Sequence, residues 1–485
     1  VEISFLGHQG WLLATAGSRV LIDPLLTEGF GHGGLLGRVW PPRELELDGF
    51  GAIDAVILSH EHDDHFDVPS LNRLARTIPI YLSSRSSRAA RELLVDMGFA
   101  EVRPLRPDGL VEIGELRVRS FVADHQGGQQ GDEWDVLPLL AWDLTGHGSV
   151  MSSIDVAPRV ADLARLGDHA RPGVWIHANN CSRAAVQDAL ATHAAGAAPE
   201  PDTELVAVAL LRRLARLRAA WGDPIAALIC GGGWSFAGER AWLNHELFPV
   251  DSERLAAALA ALRPELLVRA PAPGFTVRMA GGEIVETRET APFVRAAPRE
   301  RWPAKDFRGE VVTLPDYAPA TGRTRLEPED RAALLDELVD FARYLYGTPV
   351  FCQLCSLAET LAGARAQLCL VLREAQEDLV LRYEPTACRF ELERCADPLA
   401  EFASGLECWA TDLLALLRGE LGASALCYAG RLRQWNRAPG QLYVSPRELW
   451  VYAHPLRRPD RAARLYRRLL AAEPESVARI PAACR

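Results

Sequence analysis

The sequence predicts an α/β protein in which two β-sheets lie between helices, followed by a smaller α+β domain. Two observations carry this. Short apolar runs separated by turn residues come first, and strand–helix alternation follows, so sheets must bury one face against each other and one against helices. A composition shift over residues 291–326, with five prolines and many charges, then marks a linker or wrapping segment between residues 1–290 and 327–485. The length of 485 residues agrees, because single cores rarely grow beyond ~250–300 residues. The chain has 53 basic and 64 acidic residues, a formal charge of −11, with 48% hydrophobic and 24% charged residues. That is a globular composition, which excludes disorder as the main state and argues against nucleic acid as a partner. No run approaches the ~18–20 apolar residues of a membrane span. Because Val1 to Leu6 already reads as a strand, no targeting segment is expected. Ten cysteines are too sparse for a disulfide framework, so a reduced, cytoplasmic setting is expected.

The elements follow in order. Val1 to Leu6 and Trp11 to Leu13 form a hairpin turned by Gly7-His8-Gln9-Gly10, and Arg19 to Ile22 is a third strand ending at Asp23-Pro24. Thr27 to Asp48, rich in Gly and Pro, reads as loop. Ala52 to Leu58 is a buried strand, Val68 to Arg76 helix, Ile80 to Ser83 strand, and Arg88 to Gly98 helix with a glycine stop. Strands follow near Leu116 to Ala123, Leu139 to Asp143 and Ser149 to Ile154, then helix at Pro158 to Leu166 and strand at Val174 to Ala178. Thr203 to Trp221 is a long amphipathic helix. Strands Ile225 to Ile229 and Glu265 to Arg269 flank helix Ser252 to Leu262. The second part holds helix Pro328 to Tyr346, strands Gln367 to Arg373, Asp378 to Tyr383 and Arg389 to Glu393, then three or four helices.

The chemistry is concentrated in Ser59-His60-Glu61-His62-Asp63-Asp64-His65, at the end of a buried strand. In an extended segment alternate residues share a face, so His60 and His62 point the same way. The following turn can aim Asp64 and His65 at a point beside them. Imidazoles with carboxylates suit zinc, iron or manganese, whereas calcium would want oxygen alone. Further ligands are expected at other strand ends: His125 after Phe121 to Asp124, and Asp155 after Ser152 to Ile154, where a carboxylate could bridge two metals.

This segment resembles the signature of the metallo-β-lactamase fold, as do Phe5-Leu6-Gly7-His8 and Val20-Leu21-Ile22-Asp23-Pro24. The resemblance implies an αββα sandwich with a metal site at one edge. It implies that His60, His62 and His125 hold one metal, Asp64 and His65 the other, and that Asp155 bridges them. These six residues are the expected catalytic centre. Hydrolases of this fold supply a last histidine after a late strand, and here Leu267 to Phe275 contains none. His177, at the end of strand Val174 to Ile176, is the preferred replacement ligand, with His245 the other candidate.

The same departure, with Pro271 to Phe275, Cys230 to Trp234 and Leu247-Phe248-Pro249, is similar to the branch containing CMP-N-acetylneuraminate hydroxylase. Leu406 to Trp409, Leu417 to Glu420 and Arg431 to Arg437 resemble that branch's C-terminal region. A Rieske domain is not expected, because the chain starts inside the first strand. The diiron hydroxylases of diterpenoid antibiotic (platensimycin-type) biosynthesis, which lack one too, are a closer likeness. The resemblance therefore implies a non-heme diiron monooxygenase with two iron ions, O2 and an electron donor. An external reductase and a small-molecule substrate, terpenoid or carrier-linked, would be its partners. The alternative is a dinuclear zinc or manganese hydrolase of an ester, lactone, thioester or phosphodiester. A metal-binding scaffold without catalysis is a third reading.

Other features read more plainly. Cys352-Gln-Leu-Cys355 reads as two buried helical cysteines, Gly231-Gly232-Gly233 as a turn or a close backbone approach, and His8 as a cap of the first turn or a residue at the site mouth. The arginines of Leu205 to Trp221 read as a solvated face, or as contacts to a coenzyme A phosphate. The second part reads as a packing domain, a lid or an apolar-ligand module.

Overall fold

The computed structural model describes residues 1–124, 133–144, 148–153, 155–163, 165, 170, 172–179, 202–245, 250–303, 305, 315–474 and 477–483. Among these, two sheets face each other. The first runs, in spatial order, Glu283–Arg288, Thr276–Ala280, Glu2–Gly7, Gly10–Ala14, Arg19–Ile22, Ala55–Leu58, Ile80–Ser83 and Val102–Leu105. The second runs Leu110–Ile113, Leu116–Ser120, Leu139–Asp143, Ser149–Ser152, Pro172–Ala178, Ala226–Cys230 and Leu267–Arg269. Their inner faces meet in one core of Ile3, Trp11, Val20, Ile57, Val118, Val174 and Leu228. Helices Val68–Asn72 and Arg88–Asp96 cover the outside of the first sheet, and Thr203–Trp221 and Ser252–Leu262 that of the second. This is an αββα sandwich, the architecture expected from the sequence.

The strand Ala55–Leu58 is buried at every position, as expected of a parallel strand covered on both faces. Burial of each such Val, Ile or Leu is worth ~1.5–3 kcal/mol, so its end is held firmly. Its parallel register with Arg19–Ile22 sets Ile22 opposite Ile57. Both strands therefore end at the same edge, Asp23 beside Ser59.

The Gly- and Pro-rich stretch expected to be loop contains short strands at Gly29–Phe30, Gly37–Val39 and Arg43–Leu45. They pair with Trp234–Ser235 and Val294–Ala296. The last pairing attaches the start of the 291–326 segment to the first unit, whereas Tyr317 and Thr321 bond to Trp409, Thr411 and Asp412 of the second.

The second unit is built on a sheet ordered Arg389–Leu392, Leu379–Glu384, Ala364–Arg373, Phe402–Trp409 and Arg433–Asn436, packed by helices Pro328–Leu345 and Ala410–Leu417. Two strands stand where helices were expected. Phe402–Trp409 is buried at all but one position, so it lacks the alternation that marks a half-exposed strand. The chain then returns. Helix Pro459–Ala472 packs on Arg88–Asp96, and the tail bridges to Ile53 and Leu74 through Ala482 and Ile480. No described helix is long and apolar enough to cross a membrane.

Candidate metal centre

The two parallel strand ends build the site's first part. Asp23 Oδ1 accepts from the Ser59 backbone N–H at 2.8 Å, and Asp23 Oδ2 accepts from Ser59 Oγ at 2.6 Å. The same Oδ2 lies 3.0 Å from His65 Nδ1. That bond places the His65 proton on Nδ1 and leaves Nε2 as a donor facing the site. Ser59 Oγ is also 2.9 Å from His60 Nδ1, so it orients the second imidazole.

Asp155, after the end of Ser149–Ser152, supplies the junction. Its Oδ2 lies 3.2 Å from His60 Nε2 and 3.2 Å from His65 Nε2. Asp64 Oδ2 lies 3.4 Å from His65 Nε2 and 2.8 Å from His8 Nε2. Two groups result, His60–His62–Asp155 and His8–Asp64–His65, each with its ligand atoms within 4.8 Å of one another. The His60 and His62 rings are 4.4 Å apart, and His60 and His65 4.1 Å.

The residues fit a pair of metal ions. His60 Nε2 and His65 Nε2 are buried and make no hydrogen bond, although carboxylate oxygens stand close by. Buried polar atoms of this kind cost stability unless something coordinates them. The electrostatics agree. Burial, then the neighbouring His65 and His62, holds the His60 imidazole below its ordinary range. Burial would also lower His65, but Asp64, Asp155 and Asp23 outweigh it and hold it well above. Burial opposes ionisation of Asp64 and Asp155, yet the adjacent histidines hold both well below the usual carboxylate range. The centre thus concentrates negative charge around neutral nitrogen donors, or around a single proton on His65.

The structure brings His60, His62, Asp64, His65 and Asp155 to one place. His125 lies outside the described residues, as does the side chain of His245. His177 is not in either group: its Nε2 lies 3.4 Å from Arg213 Nη1, its ring packs on Trp175 at 4.8 Å, and burial pushes it down to about 3. His8 stands beside Asp64 and His65 instead. It occupies the tight turn between Glu2–Gly7 and Gly10–Ala14 with φ 53, a left-handed conformation that a non-glycine residue adopts at a cost of ~1–3 kcal/mol. A Cβ on Gly233 would meet His8 Cα and Nδ1 at 2.8 Å, so the Gly231–Gly233 run is a close approach that seats this histidine. A histidine in a two-residue turn, where Asn, Asp or Gly is preferred, was the readable signal.

The two cysteines of the CxxC sit on helix Pro349–Ser356 as expected, but both are exposed rather than buried. The helix is only two turns long and buries Val350 and Leu354 instead.

A sequence model of the Beta-lactamase superfamily domain matches residues 2–138. A UPF0173 protein of Pyrococcus furiosus is 25% identical over 130 residues, covering 27% of this chain and 51% of that one. A UPF0173 metal-dependent hydrolase of Rubrobacter xylanophilus is 26% identical over 137 residues, covering 27% and 49%. The chain spans about half the length of these relatives. Among solved structures, CmlA, a diiron beta-hydroxylase from Streptomyces venezuelae, aligns with a TM-score of 0.34 at 14% identity, covering 56% of this chain and 52% of that one.

Proposed function

We propose that this protein is a dinuclear metal-dependent enzyme acting on a small molecule, and that its reaction is hydrolysis of an ester-like bond. The observation that carries it is Asp155 Oδ2 placed 3.2 Å from the Nε2 atoms of both His60 and His65, one from each donor group. His60, His62 and Asp155 would hold one ion, and His8, Asp64 and His65 the other, with Asp155 shared. Bound there, two divalent ions supply Lewis acidity that activates water or polarises a carbonyl or phosphoryl group, and as iron they supply a redox centre for O2.

The chain's own part is to hold and orient. Asp23 fixes the His65 tautomer and Ser59 sets His60, both imidazoles being buried, while Asp64 and Asp155 stay partly exposed. The missing late histidine was the feature against hydrolysis, and His8, 2.8 Å from Asp64, is a candidate to stand in for it. The relatives named metal-dependent hydrolase support the same reading. A diiron monooxygenase that hydroxylates a C–H bond with O2 and an electron donor is the second reading. It is supported by the resemblance of Cys230 to Trp234 and Pro271 to Phe275 to the hydroxylase branch.

Metal analysis of protein purified from cells supplied with iron, zinc and manganese tests both. Two ions per chain are expected, with His8→Ala losing one and His177→Ala losing none. Anaerobic turnover of an ester, lactone or thioester with zinc or manganese supports hydrolysis. Turnover only with iron, O2 and a reductant supports the oxygenase. A protein that retains no metal at all overturns the dinuclear reading.

A further inference from the structure

A cavity of about 70 Å³ lies where the second unit meets the metal-binding loop. His62 forms part of its wall, with Leu421, Trp450, Ala453 and Leu465 from the second unit opposite. The Trp450 ring meets His62 edge-on at 5.9 Å between centroids, and His454 lies at 6.4 Å. A single water needs roughly 10–15 Å³ on this measure, so the space holds a ring-sized group, not a peptide segment.

Its polar margin is tied down. Glu61 Oε1 accepts from Tyr466 Oη at 2.7 Å, and Asp63 accepts from Ser424 Oγ. Both acids have partners from the second unit, and the rest of the lining is mainly apolar, with His32, His454 and Arg461 as its other polar members. Apolar cavities take apolar ligands because filling them removes surface from water and restores dispersion contacts. The position also bears on the occupant. Among the residues of the two groups His62 lines this space, so a molecule seated in it would touch an imidazole of the candidate centre.

We propose that this cavity is the substrate's binding pocket, that it receives a compact ring-sized or branched apolar group, and that the substrate's polar reacting end lies past His62 toward the metal-ligating residues. The second unit then has a direct role: it forms the apolar wall that selects the substrate. This inference rests on the dinuclear reading of the centre.

The test uses 4-bromobenzyl alcohol, an apolar ring with one polar end, and the full-length protein. In soaked crystals the bromine anomalous peak is expected between Trp450 and Leu421. Ala453→Trp and, from a separate segment, Ala423→Phe are expected to weaken binding at least tenfold by calorimetry, with metal content unchanged. Bromine located elsewhere, or affinity unaltered in both variants, overturns the pocket. Should a variant fail to fold, the bromine position in the parent protein decides. Bromine in the pocket of a protein that retains no metal would instead remove the dinuclear reading and leave the pocket standing.

Discussion

Asp23 illustrates how much one side chain carries. It caps Ser59, orients His65, and holds a left-handed backbone (φ 42) at a strand end. Asp23→Asn keeps the shape but presents an amide N–H or a weaker acceptor to His65 Nδ1. Metal affinity is expected to fall ~10–100-fold, the range for loss of an orienting partner, read by competition with a chromogenic chelator. Unaltered affinity would deny Asp23 this role. Lys305 offers a second test at this scale. Its ammonium sits over the Trp40 ring at 4.6 Å and donates to the Gly232 carbonyl, and burial pushes it down to about 7. Its folded pKa is thus below its unfolded one. The stability it contributes is present above the unfolded value and is lost as pH falls from about 10.5 toward about 7. Relative to Lys305→Met, the parent should lose up to ~1.4 kcal/mol per pH unit across that window. Urea unfolding at several pH values measures it, and parallel curves would count against it.

Two helices converge on the candidate metal-binding loop. Glu61 accepts from Ser87 N at 2.5 Å and Ser87 Oγ at 2.6 Å, at the start of helix Arg88–Asp96, and from Tyr466 of helix Pro459–Ala472. Burial raises its carboxyl to about 7 against these stabilising bonds. The loop is thus clamped between a helix of the first unit and the returning helix. Tyr466→Phe removes one bond to a buried carboxyl and is expected to cost about 1–3 kcal/mol, visible as a lower denaturant midpoint at an unaltered slope. Most of these elements were legible beforehand. Arg88–Asp96 has a serine cap and a glycine stop, and Ser252–Leu262 an aspartate cap. Phe402–Trp409 was not legible, because a strand buried on both faces has no alternating pattern. Thr276–Ala280 and Glu283–Arg288 extend the first sheet beyond the last strand the apolar runs disclosed. The outer of the two has no fully buried residue, so its apolar signal is weak.

Across the whole molecule, the tail fastens the two units together. Ile480 is fully buried, and its segment bridges to Leu74 and Ile53 of the first unit after the chain has built the second. Ile480→Ala should therefore destabilise by about 2–5 kcal/mol. Both units are expected to unfold in one transition by calorimetry, and two separated transitions would contradict the fastening.

The identity of the ligand-bearing segment was determined by the sequence alone. Histidines and aspartate within six residues stay at one strand end because they are neighbours in the chain, although Asp23 from another strand completes the aim of His65. His8 as a neighbour of Asp64, Asp155 between two imidazoles, and the apolar wall beside His62 were decided only by tertiary structure. The physical reason is that these pairings span 56 to several hundred residues. Hydrophobic burial, which drives that folding, does not encode in any local pattern which distant side chains will meet.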